Sequence, residues 1–228
     1  MALSVLSSPV SIRCKGVLFD MDGILISSLG SVERSWTKWA LLRGIDPVNS
    51  LRIAHGRRAI DTLAELRPDL DCEAELKVIE DLEIADNEGL TVLPGVPELL
   101  RALPRDRWTV VTSATERLAR ARLAAGGVPV PDRLVTANQV THGKPHPEPF
   151  QAGAALLGFA PEECVVFEDS SSGAKAGRAA GCIVVATTFS HTVETLDAAH
   201  YLVHDLTGFE VRQDGDGLLL QFTPLGVE

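Results

Sequence analysis

The sequence predicts an α/β fold: a parallel sheet between helices, interrupted once by an all-helical insert. Three observations lead there. Short, wholly apolar runs stop abruptly at polar residues, as in Val17-Leu18-Phe19-Asp20 and Val165-Val166-Phe167-Glu168; strands packed on both faces read this way. From residue 93 onward such runs alternate with segments of helical periodicity, the order that gives parallel strands joined by right-handed crossovers. Residues 27–92 carry helical periodicity and no strand pattern.

The first strand ends in Asp20-Met21-Asp22-Gly23. Where it ends, two carboxylates spaced i, i+2 can converge on one small volume. Two like charges held close require a cation or a shared proton; an ordinary surface turn would read the same way. Ser27 and Ser28 then offer helix N-caps. Val32, Trp36, Trp39 and Ala40 recur at three- and four-residue spacing, a buried helix face that Gly44 ends. Further helices are expected around 60–66, stopped by Pro68, and from 72 to 87. Between them His55-Gly56-Arg57-Arg58 sets two arginines beside a glycine in an acidic protein. Such a loop can hold an anion, or it is a solvated basic turn.

Beyond Leu93-Pro94-Gly95 a helix is expected at 96–103 and a strand at 108–111 that ends in Thr112-Ser113-Ala114-Thr115. A helix at 116–125, a strand at 134–136 and a rigid loop, Gly143-Lys144-Pro145-His146-Pro147-Glu148-Pro149, follow. Then come a helix at 150–157, a strand at 165–167 ending in Glu168-Asp169, a helix at 173–180 closed by Gly181, and strands at 183–186 and 201–203. The tail, 209–211 and 218–220 around Asp214-Gly215-Asp216-Gly217, reads as a β-hairpin.

Composition narrows the function. The 228 residues carry a net charge of −10 from 31 acidic and 21 basic side chains, which argues against nucleic acid or an anionic membrane as partner. An anionic substrate then needs a local positive site. The four cysteines, Cys14, Cys72, Cys164 and Cys182, form no metal or disulfide pattern, as expected in a reducing compartment. The first twelve residues lack the basic start of a signal peptide, and no apolar run reaches membrane-spanning length. A cytoplasmic monomer is expected.

In a parallel sheet all the carboxyl ends share one edge. Asp20 and Asp22, Ser113, Lys144 and the Glu168-Asp169 pair therefore meet although they lie over a hundred positions apart. Each alone is weak evidence, since a lone lysine is usually solvated and an acidic pair usually caps a helix. Their coincidence at the ends of apolar runs points to one catalytic edge.

These four stretches, in this order, resemble the motifs of the haloacid dehalogenase superfamily, over nearly the whole chain. The insert lies where that superfamily carries a helical cap. His55-Gly56-Arg57-Arg58-Ala59-Ile60-Asp61 and Val111-Thr112-Ser113-Ala114-Thr115 look most like sugar and polyol phosphatases. The resemblance implies a Rossmann-like core, residues 1–26 and 93–228, and a cap at 27–92. It implies a Mg²⁺-dependent phosphatase of small phosphorylated metabolites. Asp20 would be the nucleophile and Asp22 the acid and base. Ser113, Ala114 and Lys144 would hold the transferring oxygens. Asp20, Asp169 and the Asp22 carbonyl would ligate Mg²⁺, with Glu168 nearby, and His55, Gly56, Arg57 or Arg58 would meet the substrate. Ile24 stands where the family most often has Thr, and Ser27 where it often has Asp. A sugar phosphomutase and a non-catalytic binder of phosphorylated metabolites compete. The cap signature looks like that of the phosphatases rather than the mutase, and an acid-base aspartate is superfluous in a binder.

Overall fold

The computed structural model describes residues 3–5, 8–54 and 56–227. In chain order, β1 (Leu3–Val5), β2 (Val10–Cys14) and β3 (Gly16–Phe19) lead to β4 (Ile26–Ser27). Four helices follow: α1 (Leu29–Leu42), α2 (Pro47–Ala54), α3 (Ala59–Leu66) and α4 (Cys72–Ala85). Then come β5 (Thr91–Val92), α5 (Val96–Ala102), β6 (Trp108–Val110), α6 (Glu116–Ala125), α7 (Glu148–Leu157), β7 (Cys164–Glu168), α8 (Ser171–Ala180), β8 (Ile183–Thr187) and β9 (Tyr201–Val203). The chain closes with β10 (Glu210–Asp214), β11 (Gly217–Phe222) and β12 (Leu225–Val227).

The central sheet has the order β6-β3-β7-β8-β9, and every pair in it is parallel. Its side chains sort by the period of two that a strand imposes. Val17, Phe19, Val165, Phe167 and Val185 belong to one apolar cluster, while Leu18, Val166 and Val184 belong to the cluster on the other face. Both faces are covered, which is why these strands read as unbroken apolar runs. After β3 the chain crosses to β6 on one side and then to β7 on the other. Open α/β sheets place their ligands at such a reversal, outside the carboxyl ends of the strands.

The four-helix segment has an apolar cluster of its own, around Trp36, Trp39, Leu63 and Ile79. It leaves and rejoins the sheet through a two-stranded ribbon, β4 with β5. Helix α2 was not anticipated by periodicity; Pro47 starts it and the Asp46 carboxylate accepts the Val48 N–H at 3.1 Å, both ordinary start signals.

Two other expectations change. Residues 134–136 form no strand. Only Val135 bridges Val111, because Thr136 turns its N–H and hydroxyl to the Gln139 side chain and starts a short 3₁₀ turn, Ala137–Gln139. The tail hairpin is present but larger than expected, with β2 adding to β11 to make a three-stranded antiparallel sheet. Among the described residues, no helix is long and apolar enough to cross a membrane.

Candidate active site

Strand β3 delivers Asp20 to the sheet edge, where its N–H donates to the Phe167 carbonyl at 2.9 Å. The chain then folds back at once. The Met21 carbonyl accepts from the N–H groups of Leu25 and Ile26, and Gly23 takes φ = 80°. A β-carbon at Gly23 would stand 1.9 Å from Asp169 Oδ2, so only glycine lets the turn lie against the carboxylate of the neighbouring strand end.

Lys144 is the hub. Its Nζ donates to Asp20 Oδ1 at 2.7 Å, to Glu168 Oε1 at 2.6 Å and to the Val111 carbonyl at 3.3 Å. The side chain is buried and lies over the Phe150 ring. Burial alone would lower the ammonium's pKa, but Asp20 and Glu168 reverse this and hold it above its ordinary value. Glu168 is fixed from its other oxygen, where Oε2 accepts the N–H groups of Asp169 and Ser170 and the Ser170 hydroxyl. It is a second carboxylate orienting the lysine.

Burial pushes Asp20 up to about 7 against the pull of Lys144. Burial, then the Glu168 and Asp20 charges, push Asp169 well above the usual carboxylate range, while the Ser190 hydroxyl donates to it. Asp20, Glu168 and Asp169 bring carboxylate oxygens within 4.8 Å of one another. Three buried carboxylates against one ammonium leave a surplus of negative charge. Hard oxygen donors in that state suit a hard dication.

Asp22 points the other way. Its Oδ1 accepts from the Ser28 hydroxyl at 2.5 Å and from Arg122 Nη1 at 2.9 Å. Ser28 is therefore the N-cap residue of α1 by position but spends its side chain on Asp22. Ser113 lies at the β6 edge and donates weakly, at 3.4 Å, to the Gly56 carbonyl, which also accepts from Ser172 at 3.1 Å. Gly56 thus sits on the carboxyl edge of the sheet although it belongs to the four-helix segment. His55 lies outside the described residues.

The two arginines part company. Arg57 borders the central cavity and pairs with Glu65 at 2.8 Å. Arg58 makes a bidentate pair with Asp61 and donates to the Val140 carbonyl at 2.9 Å. It fastens α3 to the loop that carries Lys144.

The cavity, of about 100 Å³, is lined by Asp20, Asp22, Ser113, Ala114, Lys144 and Asp169 from the sheet edge, and by Gly56 and Arg57 from the helices. Arg122, Glu83 and Glu80 line it too, and sequence reasoning passed over them. A signal existed. Leu118, Ala119, Arg122 and Leu123 make the buried stripe of α6, and Glu75, Ile79 and Glu83 that of α4. A charge within an apolar stripe is a buried charge that needs a partner.

Comparison with known proteins agrees with this geometry. A family model described as haloacid dehalogenase-like hydrolase matches residues 14–181. Hexitol phosphatase A of Escherichia coli is 40% identical over 210 residues, covering 90% of this chain and 97% of its own. Glycerol-1-phosphate phosphohydrolase 2 of Saccharomyces cerevisiae is 34% identical, with 82% of this chain and 80% of its own covered. Among solved structures, a hydrolase from Pseudomonas syringae superposes with a TM-score of 0.75 at 22% identity, over 84% of this chain and 94% of its own. A β-phosphoglucomutase from Clostridium difficile reaches 0.70 at 21% identity, over 85% and 92%. These two establish the fold alone. The family match spans most of the chain and includes Asp20, Lys144 and Asp169, and so the chain belongs to the haloacid dehalogenase-like hydrolases.

Proposed function

We propose that the protein is a phosphatase that hydrolyses small phosphorylated sugars or polyols through an aspartyl phosphate on Asp20. One observation carries this reading. Asp20 is held by Lys144 through Oδ1 alone, with its side chain 11% exposed at the cavity it lines. A carboxylate held in position beside a cavity is an in-line nucleophile for phosphorus. The names of the relatives, phosphatases of hexitol and glycerol phosphates, favour the same substrate class.

The chain's own groups divide the work. Lys144, with Ser113 and the backbone at Ala114, would hold the phosphoryl oxygens as charge shifts onto them. Asp22 would protonate the leaving alkoxide and then take a proton from the water that cleaves the acyl phosphate. Asp20 and Asp169, with Glu168 beside them and the Asp22 carbonyl, would hold Mg²⁺. That ion would supply the positive charge that lets an anionic nucleophile approach a phosphate dianion. We read residues 27–92 as a cap that closes over the site and excludes bulk water, with Gly56 and Arg57 at its contact with the edge.

The test is phosphate release over a panel of hexose, pentose and polyol phosphates, with Mg²⁺ and with a chelator. Turnover that requires Mg²⁺ on at least one neutral sugar or polyol phosphate is expected. Metal-independent turnover overturns the ligand assignment. Conversion of one sugar phosphate to its isomer without release of phosphate makes the protein a mutase.

A further inference from the structure

Beside Asp22 the cavity is walled by a charged corner between α6 and α4. There Arg122 of α6 pairs with Glu83 of α4 at 3.0 Å, and both side chains are buried, at 3% and 6% exposure. Glu80, one turn earlier on α4, accepts from the Thr115 hydroxyl and from Arg117 at 3.2 Å. Trp36, Val32, Leu76 and Ile79 make the apolar wall alongside.

Arg122 spends Nη1 on Asp22 and Nη2 on Glu83, while its Nε is buried with no partner. A buried cationic N–H is costly to leave unpaired, and Arg122 lines the cavity, so a bound molecule whose oxygen comes within reach of Nε through a small shift of the side chain is favoured. A hydroxyl fits this corner, because it accepts from Nε–H and donates its own proton to a glutamate. A carboxylate or a second phosphate has no proton to give, and it would face Glu80 and Glu83 with Arg122 already shared between Asp22 and Glu83.

Resting on the phosphatase reading, we propose that Arg122, Glu83 and Glu80 read the leaving group, admitting neutral polyhydroxyl monoesters and rejecting esters that carry a second negative charge. The fold builds this reader across two elements. Arg122 belongs to the sheet domain and both glutamates to the four-helix segment, so the corner is complete only when the two are docked. Discrimination is then tied to closure, since the wrong leaving group opposes the docking that assembles the site.

The isosteric pair glycerol 3-phosphate and 3-phosphoglycerate, which differ as CH₂OH against COO⁻, tests it. Like-charge juxtaposition costs several kcal/mol, so the wild type should favour the first by about a hundredfold in kcat/KM. Glu83→Gln keeps the shape and hydrogen-bonding capacity but removes the charge. It should narrow the ratio about tenfold, chiefly by lowering KM for phosphoglycerate. Arg122→Lys keeps the charge but removes Nε–H. It should lower kcat/KM for glycerol phosphate about tenfold more than for a small aryl phosphate, whose own loss reports the Arg122–Asp22 bond that both substrates share. Binding of both esters to the Asp20→Asn protein, by calorimetry, reads the same preference without turnover. Equal binding of the two esters, or an unchanged ratio in Glu83→Gln, overturns the reader. Preferential binding of the neutral ester with no turnover in the wild type supports the reader and overturns the phosphatase.

Discussion

Replacing Gly56 by Ala separates docking of the helical segment from its stability. Gly56 has φ = 70°, and a β-carbon there would stand 2.7 Å from Ser172 Oγ and 3.0 Å from both Cβ and Oγ of Ser170. The two costs arise in different states. The left-handed backbone costs about 1–2 kcal/mol with any side chain, docked or undocked. The contacts with Ser170 and Ser172 exist only when the segment sits on the sheet edge. Ser172 can rotate away, giving up its bond to the Gly56 carbonyl, worth about 1 kcal/mol. Ser170 cannot, because its hydroxyl is held by Glu168 Oε2 and the Gly173 N–H, and overpacking against a fixed neighbour costs about 1–3 kcal/mol. Docking should therefore weaken by about 2–4 kcal/mol, which is roughly thirty- to a thousandfold in kcat/KM. Gly89→Ala is the control. It has φ = 74° and open space where the β-carbon would go, so it carries the backbone strain without the clash. Thermal melts should show both variants lowered by roughly 2–8 °C, and steady-state kinetics on a polyol phosphate should show the loss in Gly56→Ala alone. If Gly56→Ala keeps as much kcat/KM as Gly89→Ala, the contact of Gly56 with the edge is not part of the working state.

Three further outcomes are expected. Asp20→Asn should abolish turnover while leaving the melting temperature within a few degrees, since the amide is near-isosteric but a poor nucleophile; retention of more than about a hundredth of wild-type kcat removes Asp20 from its role. Gly173→Ala would set a β-carbon 1.7 Å from Glu168 Oε1, so Glu168 must leave Lys144, and kcat should fall at least about a hundredfold; near-normal kcat shows that Lys144 does not need Glu168. Burial, opposed by Arg122 and reinforced by Asp22 and Glu80, with Trp36 hydrogen-bonded to it, holds Glu83 up to about 7. It is neutral below that pH and charged above, so the preference for glycerol phosphate over phosphoglycerate should narrow as pH falls from about 8 to 6, and Glu83→Gln should show a flat ratio.

Most of the candidate site was legible because it is written locally. An apolar run that stops at an acid places that acid at a strand end, and the parallel sheet gathers the ends. The assignment of Asp20, Lys144, Glu168 and Asp169 to one place needed no side-chain detail. What could not be read was pairing between distant segments. Strand β2 looks like an indifferent apolar start, and its role appears only through β11, some two hundred residues later. The strand expected at 134–136 failed on one local competitor, the Gln139 side chain, which took the hydrogen bonds a sheet would have used. The Arg57-Arg58 pair was visible as charge, but not its division. Asp61, three residues on, captures Arg58, and only Arg57 is left at the cavity. Arg122 and Glu83 were hidden for the opposite reason. Their helical spacing marks each as a charge on a buried stripe, but that they are each other's partner appears only once the two helices are packed face to face.

The charge balance of the site carries a last consequence. The protein is acidic, and its buried Lys144 is already shared by Asp20 and Glu168. Arg57 likewise has Glu65. No described cation at the edge is therefore unshared, and a phosphate dianion meets a surplus of carboxylates. Affinity for the phosphoryl group must then depend on the dication that Asp20 and Asp169 would hold. Binding of one must favour the other by the same factor, since coupling free energies are reciprocal. Like charges a few ångströms apart interact by a few kcal/mol at the effective dielectric of such sites, so the coupling should be at least about a hundredfold. Calorimetric titration with inorganic phosphate, in Mg²⁺ and in chelator, measures it directly, and titration with Mg²⁺ with and without phosphate must return the same factor. Arg57→Ala should weaken phosphate binding only modestly in Mg²⁺. Equal phosphate affinity with and without Mg²⁺ would mean that Lys144 and Arg57 suffice to hold the anion, and the argument from charge surplus would be wrong.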